Sequence, residues 1–288
     1  MESTKNEPQN DQSLSNETDC IIVSRPINRA LFFQLDKFIR TRESQGNKGK
    51  LCKLFLTTYG GDPDAAFLIG KLFQNKYESL KIIVSSSCKS AGTLLAIAAN
   101  SIAISDTGEL GPLDTQVPKQ DEIGANASSR NVIESVNSIS QHLGDVITSL
   151  LFKIKNETRL SSKIAGDMAV QVTGAVANAL YSQIDPQRLA EMNRTVSIAL
   201  SYGKSLSKKT ESISEESLIK LIMNYPSHGF VIDYEEAKTL FNKVEKPTEL
   251  ESKICQLMWS ALQEPKENSS ITIDSEGAFL KVIQDASL

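Results

Sequence analysis

Histidine is nearly missing from this sequence: 288 residues contain two, His142 and His228. Any mechanism that needs an imidazole therefore has two candidates. Cysteine is sparse as well, with four residues at positions 20, 52, 88 and 255. No pair has metal-ligand spacing and there is no Cys-x-x-Cys, so no metal is expected. Their wide separation suits buried thiols in a reducing, cytoplasmic setting. Positive charge is not in excess: 31 Lys and Arg stand against 35 Asp and Glu, for a net charge of -4. That balance argues against a nucleic-acid partner and against a polybasic membrane surface. Long apolar runs are also lacking. The stretch from Ala91 to Ala99 is too short to span a bilayer. Residues 1–19 are polar, without the apolar core of a signal peptide. They are read as a disordered tail, and the chain as soluble, with no membrane anchor.

What is present is an alternation of strands and helices. At 40% hydrophobic residues the chain can bury a sizeable core. Residues 20–27 read as a strand ended by Pro26. Asn28 then caps a helix whose Leu31, Leu35, Phe38 and Ile39 share one face. Leu51 to Thr58 is a second strand, followed by Gly60-Gly61-Asp62-Pro63 and a helix with Ala65, Ala66, Leu68, Ile69, Leu72 and Phe73 inward. Leu80 to Ser86 is a third strand, which turns into the small-residue helix 91–100, and Ser101 to Ser105 is a fourth. This order predicts a layered α/β domain with right-handed crossovers. Beyond a loop over 107–123 the pattern turns helical, with helices expected at about 129–157, 161–182 and 186–207. Shorter helices follow at 214–224, 234–241 and 247–262. Residues 265–272 read as polar and mobile, and 278–283 as an element of unassigned role.

Two short motifs carry possible chemistry. Gly60-Gly61 follows a strand, where two glycines allow backbone conformations closed to other residues and let a substrate chain approach exposed N–H groups. Taken alone, this is an ordinary turn. Ser90-Ala91-Gly92 follows the next strand and opens a helix. The hydroxyl there sits near the positive end of the helix dipole, and the following N–H has no helical partner and is free for an oxyanion. Taken alone, Ser90 reads as an N-cap. Together the motifs stand at the carboxyl ends of consecutive strands, where α/β folds gather their sites. They supply two N–H donors and one nucleophile, as acyl transfer requires. His228 sits in a loop, which favours function, whereas His142 sits on a helix and reads as a solvated position. Cys88 reads as a packed thiol. Lys89, adjacent to the serine, points away from it.

Four motifs in order resemble the Clp-fold peptidases: Leu54 to Pro63 (LFLTTYGGDP), Ser90-Ala91-Gly92, Leu-Gly-Pro-Leu-Asp at 110–114, and Ser-His-Gly-Phe-Val-Ile-Asp-x-Glu-Glu-Ala-Lys at 227–238. That superfamily includes ClpP, signal peptide peptidase A and the crotonases, and the nearest resemblance is to the serine dehydrogenase proteinase family. It covers about residues 20–245. It implies a ClpP/crotonase-like layered β-β-α superhelix with a helical insertion at about 128–208 and a C-terminal helix and tail over 246–288. It further implies that Ser90 is the nucleophile, that Gly61 and Ala91 N–H groups form the oxyanion hole beside Gly60, and that Asp114 and His228 complete a triad. No histidine occupies the 111–114 region where ClpP would carry its base, and relatives of signal peptide peptidase A use a lysine. The base thus stands open between His228 and a lysine such as Lys153, Lys155 or Lys163, and Glu109 is an alternative to Asp114 as the orienting acid. The implied activity is peptide-bond hydrolysis on a peptide or protein substrate, by a homo-oligomer without a cofactor. A crotonase-like acyl-CoA enzyme and an inactive scaffold are the alternatives on the same fold.

Overall fold

The computed structural model describes residues 17–113, 116–118 and 126–285. They divide into two compact units, one of residues 1–114 and 199–288, the other of residues 115–198.

The first unit is built on a six-stranded sheet. In chain order its elements begin with β1 (Thr18–Ser24), α1 (Arg29–Ser44), β2 (Leu51–Thr57), α2 (Pro63–Lys76), β3 (Ser79–Val84), the two-residue β4 (Ser87–Cys88), α3 (Ala91–Ile97), β5 (Ser101–Ile104) and β6 (Glu109–Leu110). The second unit holds the hairpin of β7 (Gln116–Pro118) with β8 (Asn126–Ser128), then α4 (Ser129–Thr158) and α5 (Ser162–Tyr181). The division between units falls within α6 (Pro186–Thr210). The chain then continues through α7 (Glu215–Met223), α8 (Tyr234–Leu240), β9 (Val244–Glu245), α9 (Glu249–Leu257), α10 (Trp259–Leu262), β10 (Thr272–Ser275) and α11 (Glu276–Asp285).

The sheet order is β10-β1-β2-β3-β5-β9, parallel throughout except for the β1/β10 pair. The architecture is mixed α/β, as the strand–helix alternation requires. Register follows the period of two that side chains obey on a pleated strand. Ile22, Phe55, Ile83 and Ala103 align across four strands. With Cys20 they pack against Ile254, Cys255, Leu262 and Phe279 from α9, α10 and α11. The alternate row of Ile21, Leu54, Ile82 and Ile102 is equally buried on the opposite face. Burial on both faces explains why these strands read as nearly continuous apolar runs.

Local sequence sets the helix starts on this side. Asn28 accepts a hydrogen bond from the Leu31 N–H at 2.9 Å and starts α1, which buries Leu31, Leu35 and Ile39 at intervals of four. Phe38, expected on that face, is 42% exposed. Asp62 caps α2, with Pro63 in the first turn.

Other differences from the sequence reading have local causes. The first strand begins at Thr18, inside the stretch read as a tail, because Asp19 is buried by an ion pair with Arg42 (2.9 Å) and a hydrogen bond from Tyr77. Two polar residues beside an apolar strand gave no sign of these partners. The segment after residue 265 is tied down rather than loose: Lys266 N–H and Ser269 Oγ both donate to Ser24 O, and β10 forms the antiparallel edge. In the second unit, Ser161 caps α5, which buries Ala165, Ala169 and Thr173 at intervals of four.

Candidate active site

The strand β2 does not stop at its last ladder residue. Thr58 N–H donates to Ser87 O at 2.8 Å, and Lys89 N–H donates to Thr58 O at 2.9 Å. The chain after β2 is thereby held beside β4, and the two turns that follow are brought face to face. Thr58 is buried, and its Oγ1 accepts from Gly60 N–H at 3.1 Å. Gly60 and Gly61 take φ values of 111° and 138°, in the region that L side chains avoid. A Cβ on Gly60 would stand 2.8 Å from Ser90 Cβ and 3.3 Å from Ala91 N. The glycine is what permits the approach.

Ser90 itself has φ 52° and ψ -114°. A non-glycine residue there carries about 1–3 kcal/mol of strain, so the surrounding hydrogen bonds must hold it. They are present on both sides: Lys89 N–H to Thr58 O, Gly92 N–H to Lys89 O at 2.8 Å, and Leu94 N–H to Ser90 O at 3.0 Å. The Ser90 hydroxyl does not cap α3 and makes no hydrogen bond among the described residues. The reading of Ser90 as an ordinary N-cap therefore fails. The N–H groups of Gly61 and Ala91 also make no hydrogen bond among the described residues. Gly61 is exposed, whereas Ala91 is buried at the start of α3.

Thr93, one turn into α3, links this elbow to the Leu-Gly-Pro-Leu loop. Its buried hydroxyl donates to Gly111 O at 2.7 Å and accepts from Gly111 N–H at 3.3 Å. Beside it β4 pairs with β6, Ser87 with Glu109 and Cys88 with Leu110. Leu110 in turn exchanges two hydrogen bonds with Ile232, at 2.9 and 3.0 Å, and Leu113 N–H donates to Leu221 O at 3.0 Å. All four sequence motifs thus meet around α3. Neither Thr58 nor Thr93 was singled out from the sequence. The available signal was a threonine within the wholly buried helix 91–97, where a hydroxyl must find a partner.

The charged groups nearby are already committed. Lys89 Nζ is 3.0 Å from Glu109 Oε1 and 3.2 Å from Gly229 O. Glu109 also accepts from Ser87 Oγ at 2.8 Å. Lys89 is thus spent on an ion pair, and Glu109 serves that pair rather than a histidine. Burial pushes the Cys88 thiol up to about 12, which makes it a poor nucleophile.

Of the other residues expected at the site, His228 is half-buried in the turn after α7, and the contact of Lys89 with Gly229 brings that turn beside the elbow. Ser90 Oγ is not hydrogen-bonded to it. Asp114 lies outside the described residues. His142, Lys153, Lys155 and Lys163 belong to the second unit.

No family model matches the sequence, and no curated protein matches it. Solved structures do. One is a Ser-to-Ala mutant of 1510-N membrane-bound stomatin-specific protease, at 19% identity and TM-score 0.33, covering 51% of this chain and 66% of that one. Another is a Lys-to-Ala mutant of 1510-N in complex with a substrate peptide, at 20% identity and TM-score 0.35, covering 53% and 65%. ClpP1 from Listeria monocytogenes is similar over 83% of this chain and 96% of its own, at 13% identity and TM-score 0.43. The chain spans about two thirds of the length of the two 1510-N structures.

Proposed function

We propose that this chain is a Clp-fold serine peptidase that cleaves peptide bonds through an acyl-enzyme on Ser90. The observation that carries the reading is the strained, uncapped Ser90 held against Gly60, with the Gly61 and Ala91 N–H groups beside it making no hydrogen bond among the described residues. A serine kept at a left-handed φ, with its hydroxyl withheld from the helix it opens, is costly as a cap and useful as a nucleophile.

In this reading a scissile carbonyl lies over Gly60 with its oxygen toward the Gly61 and Ala91 N–H groups. Ser90 Oγ adds to the carbonyl carbon while a base takes its proton. The resulting oxyanion is stabilised by the two N–H donors. The tetrahedral intermediate expels the amine, which takes the proton from the base, and leaves an ester on Ser90. Water then adds with the same base assisting, and the carboxylic acid leaves. His228 is the proposed base and Asp114 its proposed orienting group. An imidazole is the side chain best suited to taking a proton near neutral pH, whereas a lysine would need desolvation to do so. Membership of the serine dehydrogenase proteinase family, self-assembly into a homo-oligomer and a cytoplasmic setting belong to the same proposal. Among the described residues no helix is long and apolar enough to cross a membrane.

The test is hydrolysis of a quenched fluorescent peptide library by the intact protein. Ser90→Ala is expected to lower the rate about 10⁴-fold or more, and His228→Ala about 10²–10⁴-fold. Full activity in His228→Ala would transfer the base to a lysine. Full activity in Ser90→Ala would remove the reading altogether.

A further inference from the structure

Away from the Ser90 elbow, a cavity of about 500 Å³ opens between α1 and the segment joining α10 to β10. Arg25, Lys37 and Phe38 line it on one side, and residues 268–271 on the other. Its charge is one-signed: two cations and no carboxylate among the lining residues, in a chain whose net charge is -4. Neither cation is spent on an acid. Gln34 Oε1 accepts from Arg25 Nη1 at 3.0 Å, which fixes the guanidinium plane. Arg25 Nε is buried and makes no hydrogen bond, and the Lys37 ammonium forms neither a hydrogen bond nor an ion pair among the described residues. The apolar part is equally specific. Phe38 lies in a helix that buries its neighbours Leu35 and Ile39, yet its own ring is 42% exposed and turned to this cavity with Ile271. The far wall is pinned, because Lys266 N–H and Ser269 Oγ both donate to Ser24 O.

We propose that this cavity binds a monocarboxylate carrying an apolar side chain, the chemistry shared by the C-terminal residue of a polypeptide and a free organic acid. An oriented guanidinium and an ammonium meet the carboxylate, and Phe38 and Ile271 meet the side chain. A neutral amide of the same shape forfeits the charge-assisted part of that recognition. The site also touches the backbone that braces the glycine turn. Arg25 N–H donates to Thr57 O at 3.1 Å, and two residues on Ile27 N–H donates to Gly60 O at 2.9 Å. The proposal is independent of the chemistry at Ser90.

The test uses the full chain carrying Ser90→Ala, so that no probe is consumed. Calorimetric titration compares acetyl-Leu-Phe as the free acid, the same dipeptide as its amide, and 3-phenylpropionate. The free acid is expected to bind saturably, the amide at least tenfold more weakly, and Lys37→Gln and Arg25→Gln each to weaken the acid at least tenfold. Lys37 is exposed on α1, so its variant folds even if the Arg25 variant does not. Tighter binding of the dipeptide than of phenylpropionate identifies a polypeptide end as the source, and the reverse identifies a small acid. Equal affinity for acid and amide, undiminished binding in Lys37→Gln, or no saturable binding of any acid at millimolar concentration would overturn the proposal.

Discussion

Gly60 and Ser90 are in such close apposition that one added carbon on the glycine would stand 2.8 Å from Ser90 Cβ. The two residues come from consecutive crossovers, and the Thr58–Lys89 hydrogen bonding fixes their distance. Gly60→Ala is therefore a test of the elbow that leaves the Ser90 hydroxyl in place. The added methyl faces both a φ of 111° and the close contact. Peptidase activity is expected to fall about 10²-fold or more, as when an oxyanion donor is lost, together with a stability loss of about 1–3 kcal/mol. Steady-state hydrolysis and denaturant unfolding measure the two effects separately.

Thr93→Val keeps the shape of a buried side chain and removes its hydroxyl. Both polar groups of Gly111 then lose their partner, at a cost of about 1–3 kcal/mol. A lowered unfolding midpoint is expected, with activity lost beyond what stability explains because the Leu-Gly-Pro-Leu loop is released from α3. Thr93→Ser should restore both. Urea melts paired with kcat and KM for the three proteins decide the matter.

Much of this arrangement was legible in the sequence, for identifiable reasons. The strands β1, β2 and β3 are doubly buried and so read as apolar runs, and Asn28 marks its helix by capping chemistry. Gly60-Gly61 stood out because glycine suits unusual backbone angles, and Ser90-Ala91-Gly92 because a serine there opens a helix at the end of a strand; the positive φ of Ser90 itself was not legible. What escaped detection depends on partners distant in sequence. The strand β9 is two residues long, and only its pairing with Ile102 and Ala103 makes it a strand. Lys89 is read from the sequence only as pointing away from Ser90, and nothing there announces the Glu109 and Gly229 partners that the fold places against it. Thr58 and Thr93 act through single hydroxyls, which leave no periodic trace.

Acid should unfold the protein partly through Glu251. This wholly buried carboxylate sits between Lys53 Nζ at 3.0 Å and Lys81 Nζ at 2.8 Å. Burial alone would raise its pKa, but the hydrogen bonds from Lys81 and the Thr248 N–H and the nearby Lys53 ammonium outweigh that and hold it below the usual carboxylate range. A depressed folded-state pKa stabilises fully above the unfolded value, about 4.3 for glutamate, and that stabilisation is lost as pH falls through the folded value. The unfolding midpoint is expected to hold from pH 7 to about 5 and to fall below that. Glu251→Gln should cost about 1–3 kcal/mol at pH 7 by removing the carboxylate that Lys53 and Lys81 share, Lys53 keeping Glu276 at 2.6 Å and Lys81 keeping Glu245 at 2.8 Å, and should flatten the acid limb. Thermal melts across pH for both proteins test the sign.

The thiols should be silent in the folded state. Burial pushes Cys88 up to about 12 and Cys255 up to about 11, and raises Cys20 and Cys52 as well. Iodoacetamide at pH 7.5 is expected to leave all four unmodified over a period in which urea-unfolded protein is fully alkylated. Peptide mapping reads this directly, and rapid labelling of native Cys88 would make it a rival to Ser90.

The most direct measurement of the central claim is covalent labelling of the native protein with a fluorophosphonate, followed by mass mapping of the adduct. The account predicts one adduct per chain, on Ser90, absent from Ser90→Ala and strongly slowed in Gly60→Ala, while His142→Ala labels normally. Folded wild-type protein that takes up no probe, or takes it up equally after Ser90→Ala, would contradict it.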